Sequence, residues 1–166
     1  MISGPGLPSL TSLNLTTADI DKLSVTEIST GQVRTSNPQC GPVDDAYTNV
    51  TSLIHCFHYL LKLGTTRCEF KRNEVSMLCR YGGIGIVIGM GISGEVESGH
   101  CSDVALGLLT VIDGCTRPDM SVAGFARANG NGNIVVGGTN IEYATHATGT
   151  ANFGRLVMDS LGEEAY

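Results

Sequence analysis

The sequence predicts a disulfide-stapled α+β domain in which two helices pack on one face of a mainly antiparallel sheet. Three observations predict it. Six cysteines lie in the middle of the chain, two segments carry apolar residues at helical spacing, and short strand-like segments follow each helix. An even number of cysteines without closely spaced pairs is typical of disulfides, whereas zinc sites need pairs such as C-x2-C. The cysteines are Cys40, Cys56, Cys68, Cys79, Cys101 and Cys115.

The two helices follow from hydrophobic periodicity. Over residues 44–63 apolar side chains recur every three or four positions, with Asp44 or Asp45 at the start and Gly64 as a stop signal. The second helix is expected to begin after Ser102, a good N-cap, and to end before Gly114. It is almost as hydrophobic as a buried helix.

The strands are expected around these helices. Residues 67–70 and 76–80 flank a charged turn and predict a hairpin that turns at Asn73 and Glu74, and residues 83–92 alternate isoleucine with glycine. Residues 121–127 and 133–137 flank Asn-Gly-Asn-Gly, and Asn-Gly is the strongest short hairpin signal. One further strand is expected ahead of Cys40.

The chain divides into three parts by composition. Residues 1–39 are rich in Ser, Thr, Gly and Pro, and we expect a flexible arm or pro-segment there, with one or two helical turns at 17–23. Residues 40–140 are expected to form the disulfide-stapled domain. Residues 141–166 are expected to be a C-terminal extension whose short helix, at 151–161, docks on the domain or swaps onto a neighbour.

Geometry limits the disulfide pairing without fixing it. Cys101 and Cys115 bracket the second helix, so they lie roughly 20 Å apart, beyond the roughly 7 Å limit between bridged Cα atoms. Each therefore pairs elsewhere. Cys68 and Cys79 would face each other across the predicted hairpin, but each can equally reach Cys56 or Cys101 on the helices.

The compartment follows from two N-x-[ST] sequons and the even cysteine count. Asn14 and Asn49 are the predicted glycosylation sites, because glycans and disulfides both form in an oxidising compartment. The net charge of -6 and the absence of a Lys/Arg cluster argue against nucleic acid and anionic membranes as partners. No apolar stretch is long enough to span a bilayer, and no signal peptide is evident. We expect a mature, soluble, extracellular chain.

The order of elements over residues 40–139 resembles small secreted fungal proteins of the effector and killer-toxin type. The resemblance rests on the helix that ends at Gly64 before Cys68, on Cys79 and the Gly/Ile strand, on the helix from Cys101 to Cys115, and on the Asn-Gly hairpin. The KP6-like killer-toxin fold is the nearest architecture, and the Ecp2-like necrosis-inducing (Hce2) proteins are more distantly similar. The resemblance implies an α/β sandwich without established catalytic residues.

The resemblance also implies a processing site, because killer toxins of this type are often cut after dibasic pairs. Lys71 and Arg72 form such a pair. If the chain were cut there, disulfides could hold the two pieces together. The alternative interpretation is a solvated hairpin turn that carries two charges.

Two patterns suggest ligand chemistry and are weak. Residues 89–94 match G-x-G-x-x-G, but the dinucleotide fold needs a helix at the third glycine, and Glu95 and Glu97 would repel a pyrophosphate. These two acids lie on one side of an extended strand, as paired acids in a glycosidase can. The absence of Trp and the few aromatic residues argue against a sugar-binding cleft.

The histidines do not indicate a metal site or a catalytic site either. His55 and His58 flank Cys56, but no second ligand pair accompanies them. A catalytic set of His58 or His146 with Asp44, Glu95 or Glu97 is not favoured by any motif. We therefore assign no catalytic, cofactor-binding or metal-binding residue and expect no cofactor.

Three functions remain. The first is a secreted, non-enzymatic effector or toxin-like protein that binds a host or competitor target. The second is an extracellular structural or self-associating protein, since an exposed Gly/Ile strand would favour edge pairing and a homodimer. The third is a secreted hydrolase, which would show a cleft where a histidine and a carboxylate from different segments meet.

Overall fold

The structure is a computed structural model, and it describes residues 1–22 and 37–147. The helices in this part of the chain are α1 (Thr17–Asp21), α2 (Val50–Leu63), α3 (Cys101–Cys115) and α4 (Ile141–Ala147). The strands are β1 (Ile2–Ser3), β2 (Gln39–Cys40), β3 (Thr48–Asn49), β4 (Arg67–Lys71), β5 (Ser76–Tyr81), β6 (Gly85–Gly91), β7 (Val96–His100), β8 (Ser121–Val122), β9 (Gly124–Arg127) and β10 (Ile134–Asn140).

The main sheet has six strands in the order β1-β5-β6-β10-β9-β2, all paired antiparallel. α2 and α3 contact each other and pack on one face of this sheet, α2 against β5 and β6 and α3 against β9 and β10. Two smaller sheets pair β3 with β8 and β4 with β7. The predicted fold class, two helices on a mainly antiparallel sheet stapled by disulfides, is confirmed.

α2 begins six residues later than the periodicity predicts. The side chain of Asn49 accepts a hydrogen bond from the backbone N–H of Thr51 at 2.8 Å and so caps the helix. Asp44 and Ala46 belong instead to a separate 3-10 turn. The apolar spacing continues through that turn because Ala46 is also buried, so periodicity alone places the start too early.

α3 begins at Cys101, so Ser102 is not its N-cap as predicted. The N–H groups of Cys101 and Ser102 donate to the carbonyl oxygens of Thr66 and Gly64 at 2.9 and 3.0 Å. A distant loop thus satisfies the donors that a capping side chain would otherwise satisfy. The helix continues past Gly114 and ends at Cys115.

β6 lies at the centre of the main sheet, between β5 and β10. Its glycines face the helix side, where a Cβ added to Gly85 or Gly89 would lie 2.3 Å from Ser52 or Phe70. Its alternate side chains belong to a smaller cluster on the other face, namely Ile86, Ile88 and Met90. The predicted close contact on one face is confirmed. The self-association hypothesis assumed that this Gly/Ile strand is exposed. That assumption is wrong, because both edges of β6 are paired.

β4 and β5 do not form the predicted hairpin. β4 pairs with β7, from Arg67 opposite His100 to Lys71 opposite Val96, whereas β5 pairs with β6 and β1. The ring of Phe70 lies against Gly89 of β6, so β4 lies on the helix side of the main sheet. The hairpin predicted around Asn-Gly does form, from β9 and β10.

Residues 1–22 pack against the domain. β1 pairs with β5, and Ile20 of α1 is fully buried. The hydroxyl of Tyr59 in α2 donates a hydrogen bond to the carbonyl of Pro8 at 2.6 Å. The structure differs here from the flexible arm or pro-segment expected over residues 1–39, because a few scattered apolar residues dock despite the polar composition. Residues 23–36 lie outside the described part of the chain.

The end of the domain contains α4, which follows β10 directly. The helix predicted at 151–161 lies outside the described residues. No helix within residues 1–22 and 37–147 is both long enough and apolar enough to cross a membrane.

Candidate functional site

The six cysteines form three disulfides, and each bridge joins a helix to another element. α2 is tied to β5, the first residue of α3 is tied to β4, and the last residue of α3 is tied to β2. The bridges are Cys56–Cys79, Cys68–Cys101 and Cys40–Cys115, with Cα–Cα distances of 5.6, 5.2 and 5.3 Å. These distances are within the ordinary disulfide range.

The pairing resolves the alternatives left open by the sequence. Cys101 and Cys115 lie at opposite ends of α3 and bond to other cysteines, as the helix length predicts. A Cys68–Cys79 bridge is wrong, because β4 and β5 do not pair. Each of these two cysteines reaches a helix instead, which is the other arrangement that the sequence allowed.

The dibasic pair lies at the exposed end of β4. The backbone N–H of Arg72 donates to the carbonyl of Glu95 at 3.2 Å, and that of Asn73 donates to the carbonyl of Gly91 at 3.1 Å. Proteases act best on exposed loop tips or on segments that open transiently. The main chain around the bond that follows Arg72 is hydrogen-bonded, which favours the charged-turn interpretation. Processing at Lys71 and Arg72 stays a prediction.

Both sequon asparagines are exposed. Asn14 follows a short 3-10 helix with a left-handed backbone (φ 55°), and Asn49 caps α2. The cap uses the Oδ1 atom of Asn49 and leaves the amide nitrogen, where a glycan attaches, outside that hydrogen bond. Glycosylation at Asn14 and Asn49 stays a prediction.

A histidine and a carboxylate from different segments meet between α1 and α2. The Nε2 atom of His55 forms an ion pair with Asp21, and its Nδ1 atom lies 2.6 Å from the carbonyl oxygen of Thr51. Its ring stacks on Tyr81 with the centroids 4.0 Å apart. Both ring nitrogens are therefore engaged, and the ring joins α1 to α2.

His58 lies one turn further along α2 and is only 4% exposed. Burial, reinforced by the nearby His55, lowers the pKa of His58 and favours its neutral form. Its Nε2 atom has no hydrogen-bond partner among the described residues. Asp44, a proposed catalytic companion, binds Arg117 at 2.8 Å on an exposed surface. The side chain of His146 lies outside the described part.

The glycine motif and the two acids have other structural roles. Residues 89–94 end β6 and form a turn into β7, whereas a dinucleotide site would need a helix at that point. Glu97 accepts a hydrogen bond from Asn131 at 3.2 Å, and Glu95 precedes β7 in an exposed position. In residues 1–22 and 37–147, no three His, Cys, Asp or Glu side chains are placed to hold a metal ion.

A groove of about 670 Å³ lies where the β4–β5 hairpin was predicted. We call it the β4 groove, and β4, the first half of β5, residues 5–7 and Val96 line it. Its lining includes the apolar residues Leu7, Leu78 and Val96 as well as the charged residues of β4 and Glu74. Val96 is 52% exposed at its edge. The groove combines a mixed apolar and charged lining with a strand edge, and sheet edges of this kind bind extended peptides.

The side chains of β4 divide between the core and solvent. Cys68 and Phe70 are buried, whereas Arg67, Glu69 and Lys71 are exposed. Arg67 lies 2.7 Å from Glu69, and the Nζ atom of Lys71 lies 3.5 Å from a carboxylate oxygen of Glu74. Exposed ion pairs of this kind contribute little to stability, so their charges can exchange partners when another chain approaches.

A second, smaller pocket of about 450 Å³ is acidic. Asp44 and Asp45 line it together with Tyr47 and the start of α4. The guanidinium of Arg117 lies 3.3 Å from the centre of the Tyr47 ring and donates to Asp44. The hydrogen bond to Asp44 is the main reason that the pKa of Arg117 is raised. Two residues of the pocket, Asp44 and Tyr47, therefore already contact a cationic side chain.

The β4 groove was not predicted from the sequence. The signal was present, because charged residues alternate with buried ones over residues 67–71, as in an edge strand. Because residues 67–70 were predicted to pair with residues 76–80, no groove was expected between these two segments. Only the pairing of β4 with β7 shows that the other edge of β4 faces a groove.

Comparison with known proteins gives one match. No curated protein and no solved structure matches the chain. Residues 35–139 match a family described as a domain of unknown function, DUF8794. The match covers both core helices, the three disulfides and the strands β2 to β10 up to Thr139. The chain therefore belongs to the DUF8794 family.

Proposed function

We propose that this chain is a secreted, non-enzymatic effector or toxin-like protein that binds a host or competitor target through the β4 groove. The observation that carries the proposal is a charged strand edge beside a groove of mixed apolar and charged lining, on a body held by three disulfides. An exposed sheet edge beside a groove is a kind of site at which proteins bind extended segments of their partners.

The disulfides support the extracellular part of the proposal. All six cysteines are bridged, and none is free. Disulfides persist in oxidising compartments and are rare in the cytosol. Exposed Asn14 and Asn49 are compatible with glycans, which would be added in the same secretory route.

The environments of the histidines favour binding over catalysis. His55 has both ring nitrogens engaged, and His58 is buried in the core. Neither is among the residues that line the β4 groove. A hydrolase needs a base within reach of a bound substrate, so the secreted hydrolase stays the lesser hypothesis.

Two measurements test the proposal. The first is the mass of protein secreted by its native host, with and without reductant. Three bridges give a mass six hydrogens below that of the reduced chain. Free thiols in the secreted protein would remove the basis of the compartment assignment.

The second measurement is binding of fluorescently labelled protein to tissue that the producer colonises and to cells of competing microbes. Saturable binding is expected on one of these surfaces. The double variant Arg67→Glu/Lys71→Glu, which changes two exposed positions beside the groove, is expected to bind at least tenfold more weakly. The matched control Lys22→Glu/Lys62→Glu has the same change in net charge at exposed positions away from the groove. Absence of saturable binding on both surfaces would contradict the proposed function.

A further inference from the structure

The hydrogen bonds of β4 show which of its backbone groups face the groove. The N–H of Cys101 donates to the carbonyl of Thr66, and the N–H of Arg72 donates to that of Glu95. In an antiparallel pair, hydrogen-bonded positions alternate with positions whose N–H and C=O point to the opposite edge. The even-numbered residues of this stretch therefore bond to β7, and the backbone of Arg67, Glu69 and Lys71 points outward.

Among the described residues this outer edge is open at Arg67 and Glu69, whereas at its end the carbonyl of Lys71 accepts a hydrogen bond from the N–H of Glu74 at 3.4 Å. Glu69 has no backbone hydrogen bond on that side to any residue in 1–22 or 37–147. Five residues at about 3.3 Å each make an edge roughly 16 Å long, close to the length of an ordinary strand. β5, across the groove, is occupied by β6 on one side and by β1 at Cys79 and Arg80 on the other.

Charge decides between two occupants of this edge. The exposed side chains along it are positive, negative and positive at Arg67, Glu69 and Lys71. A second copy aligned along the whole of β4 would place like charges opposite each other at all three positions, in either strand direction. Like charges directly across a strand pair are destabilising. Full alignment with a second copy is therefore disfavoured, and an antiparallel copy shifted to pair Arg67 with Glu69 leaves Lys71 opposite the uncharged Thr65.

We propose that the β4 groove binds an extended segment of a partner protein by strand addition to the outer edge of β4. The segment carries acidic, basic and acidic side chains at alternate positions, opposite Arg67, Glu69 and Lys71. This inference rests on the proposed binding function and names the kind of partner. The outward N–H and C=O groups supply the affinity, and the charge pattern supplies the specificity.

The same charges also protect the protein when it is unbound. Charged residues on an edge strand prevent indiscriminate pairing and aggregation. A partner with the complementary pattern can pair with this edge, because its charges attract those of Arg67, Glu69 and Lys71, whereas a segment with the same pattern would be repelled. The ion pair of Arg67 with Glu69 must open first, and its exposure makes that opening inexpensive.

The test uses the oxidised full chain and labelled nine-residue peptides. One peptide carries Glu, Lys and Glu at alternate central positions with Thr or Val between them, and the other carries Lys, Glu and Lys. Fluorescence polarisation is expected to show that the first binds about tenfold more tightly, since its charges attract those of β4 at all three positions and those of the second peptide repel them. Equal binding of the two peptides, or none by either, would overturn the proposal.

Two further measurements separate strand addition from simple charge attraction. N-methylation of one alternating set of amides in the first peptide is expected to abolish binding, whereas methylation of the other set preserves it, because only one set faces β4. Hydrogen exchange at the Glu69 amide is expected to slow when the peptide binds. Identical effects of the two methylated sets, or unchanged exchange at Glu69, would contradict strand addition.

Variants complete the test. Arg67→Glu/Lys71→Glu should reverse the preference between the two peptides, and Lys22→Glu/Lys62→Glu should leave it unchanged. Glu69→Pro removes the outward N–H at a position where an edge strand tolerates proline, and it should weaken both peptides at least tenfold. Reversed preference supports the proposal even if the proline variant does not fold.

The failures of the two proposals are distinguishable. If Arg67→Glu/Lys71→Glu weakens the binding of labelled protein to cells while the two peptides bind equally, the proposed function stands and the strand-addition proposal falls. If neither peptides nor cells bind and sedimentation shows a dimer that Arg67→Glu/Lys71→Glu abolishes, a second copy occupies the edge, and both proposals are overturned.

Discussion

Gly89 determines how closely β4 approaches the main sheet, and replacing it tests the packing of this wall of the groove. A Cβ at this position would lie 2.3 Å from one ring carbon of Phe70 and 3.0 Å from two others. Carbon atoms pack at roughly 3.5–4.0 Å, so the ring must retreat by more than about 1 Å. Phe70 is only 1% exposed, so it has little room in which to move.

The expected magnitude follows from two opposing effects of Gly89→Ala. Overpacking a well-filled core costs roughly 1–3 kcal/mol. Replacing glycine by alanine restricts the unfolded chain and stabilises the fold by about 0.4–1 kcal/mol. The cost of overpacking exceeds the gain from restricting the unfolded chain, so we expect the free energy of unfolding to fall by about 1–2 kcal/mol.

The assay is urea unfolding of the oxidised protein, followed by circular dichroism. Gly132→Ala is the matched control, because its Cβ would meet only an Arg127 side-chain carbon at 3.9 Å. It should be neutral or slightly stabilising. In the double variant Gly89→Ala/Phe70→Leu the smaller side chain leaves room for the new methyl group. The double variant should therefore lose at least about 0.5 kcal/mol less than the two single losses predict.

Two results would refute this reasoning. One is a Gly89→Ala protein that is as stable as the parent chain. The other is a double variant whose loss equals the sum of the single losses within experimental error. Either result would mean that the ring of Phe70 does not limit how closely β4 packs on β6.

Three further predictions concern the disulfides, a buried histidine and the dibasic pair. Cys40→Ala/Cys115→Ala opens the longest loop, with a separation of 75 residues, and should lower the free energy of unfolding in urea by about 4–5 kcal/mol. A loss below about 2 kcal/mol would contradict this entropic estimate. Because burial lowers the pKa of His58, the unfolded chain takes up that proton first as pH falls below its ordinary value of 6.5. Stability measured in urea should therefore fall below pH 6.5, by at most about 1.4 kcal/mol per pH unit, and His58→Phe should remove this component. Trypsin should cut the folded protein slowly after Arg72, because the backbone there is hydrogen-bonded, and mass spectrometry should show the cut pieces still joined until reductant is added. Rapid cleavage of the folded protein at this bond would contradict the prediction.

Local patterns in the sequence predicted the local structure well. Apolar spacing identified both core helices, alternation identified β6, and Asn-Gly identified the β9–β10 hairpin. The helix starts were less predictable, because competing caps lie close together. Asn49 and not Asp44 caps α2, and carbonyl groups of a distant loop replace Ser102 at the start of α3.

Strand partners were harder to predict, because pairing joins residues far apart in sequence. β4 lies four residues from β5, which made a hairpin the natural prediction. It pairs instead with β7, more than twenty residues further on, where Phe70 can pack against Gly89. The β4 groove is a direct result of this choice of partner, and so it could not be derived from local periodicity.

The connectivity of the bridges has a consequence for how the protein is made. Each bridge joins a cysteine in residues 1–72 to one in residues 73–166. While the chain is being synthesised, the first three thiols, at Cys40, Cys56 and Cys68, therefore precede all of their native partners. Any bond that they form with one another is non-native and must be exchanged later by a thiolate. The earliest native bond becomes available when Cys79 emerges, and the last waits for Cys115. We therefore expect oxidative maturation in the cell to depend on a disulfide isomerase.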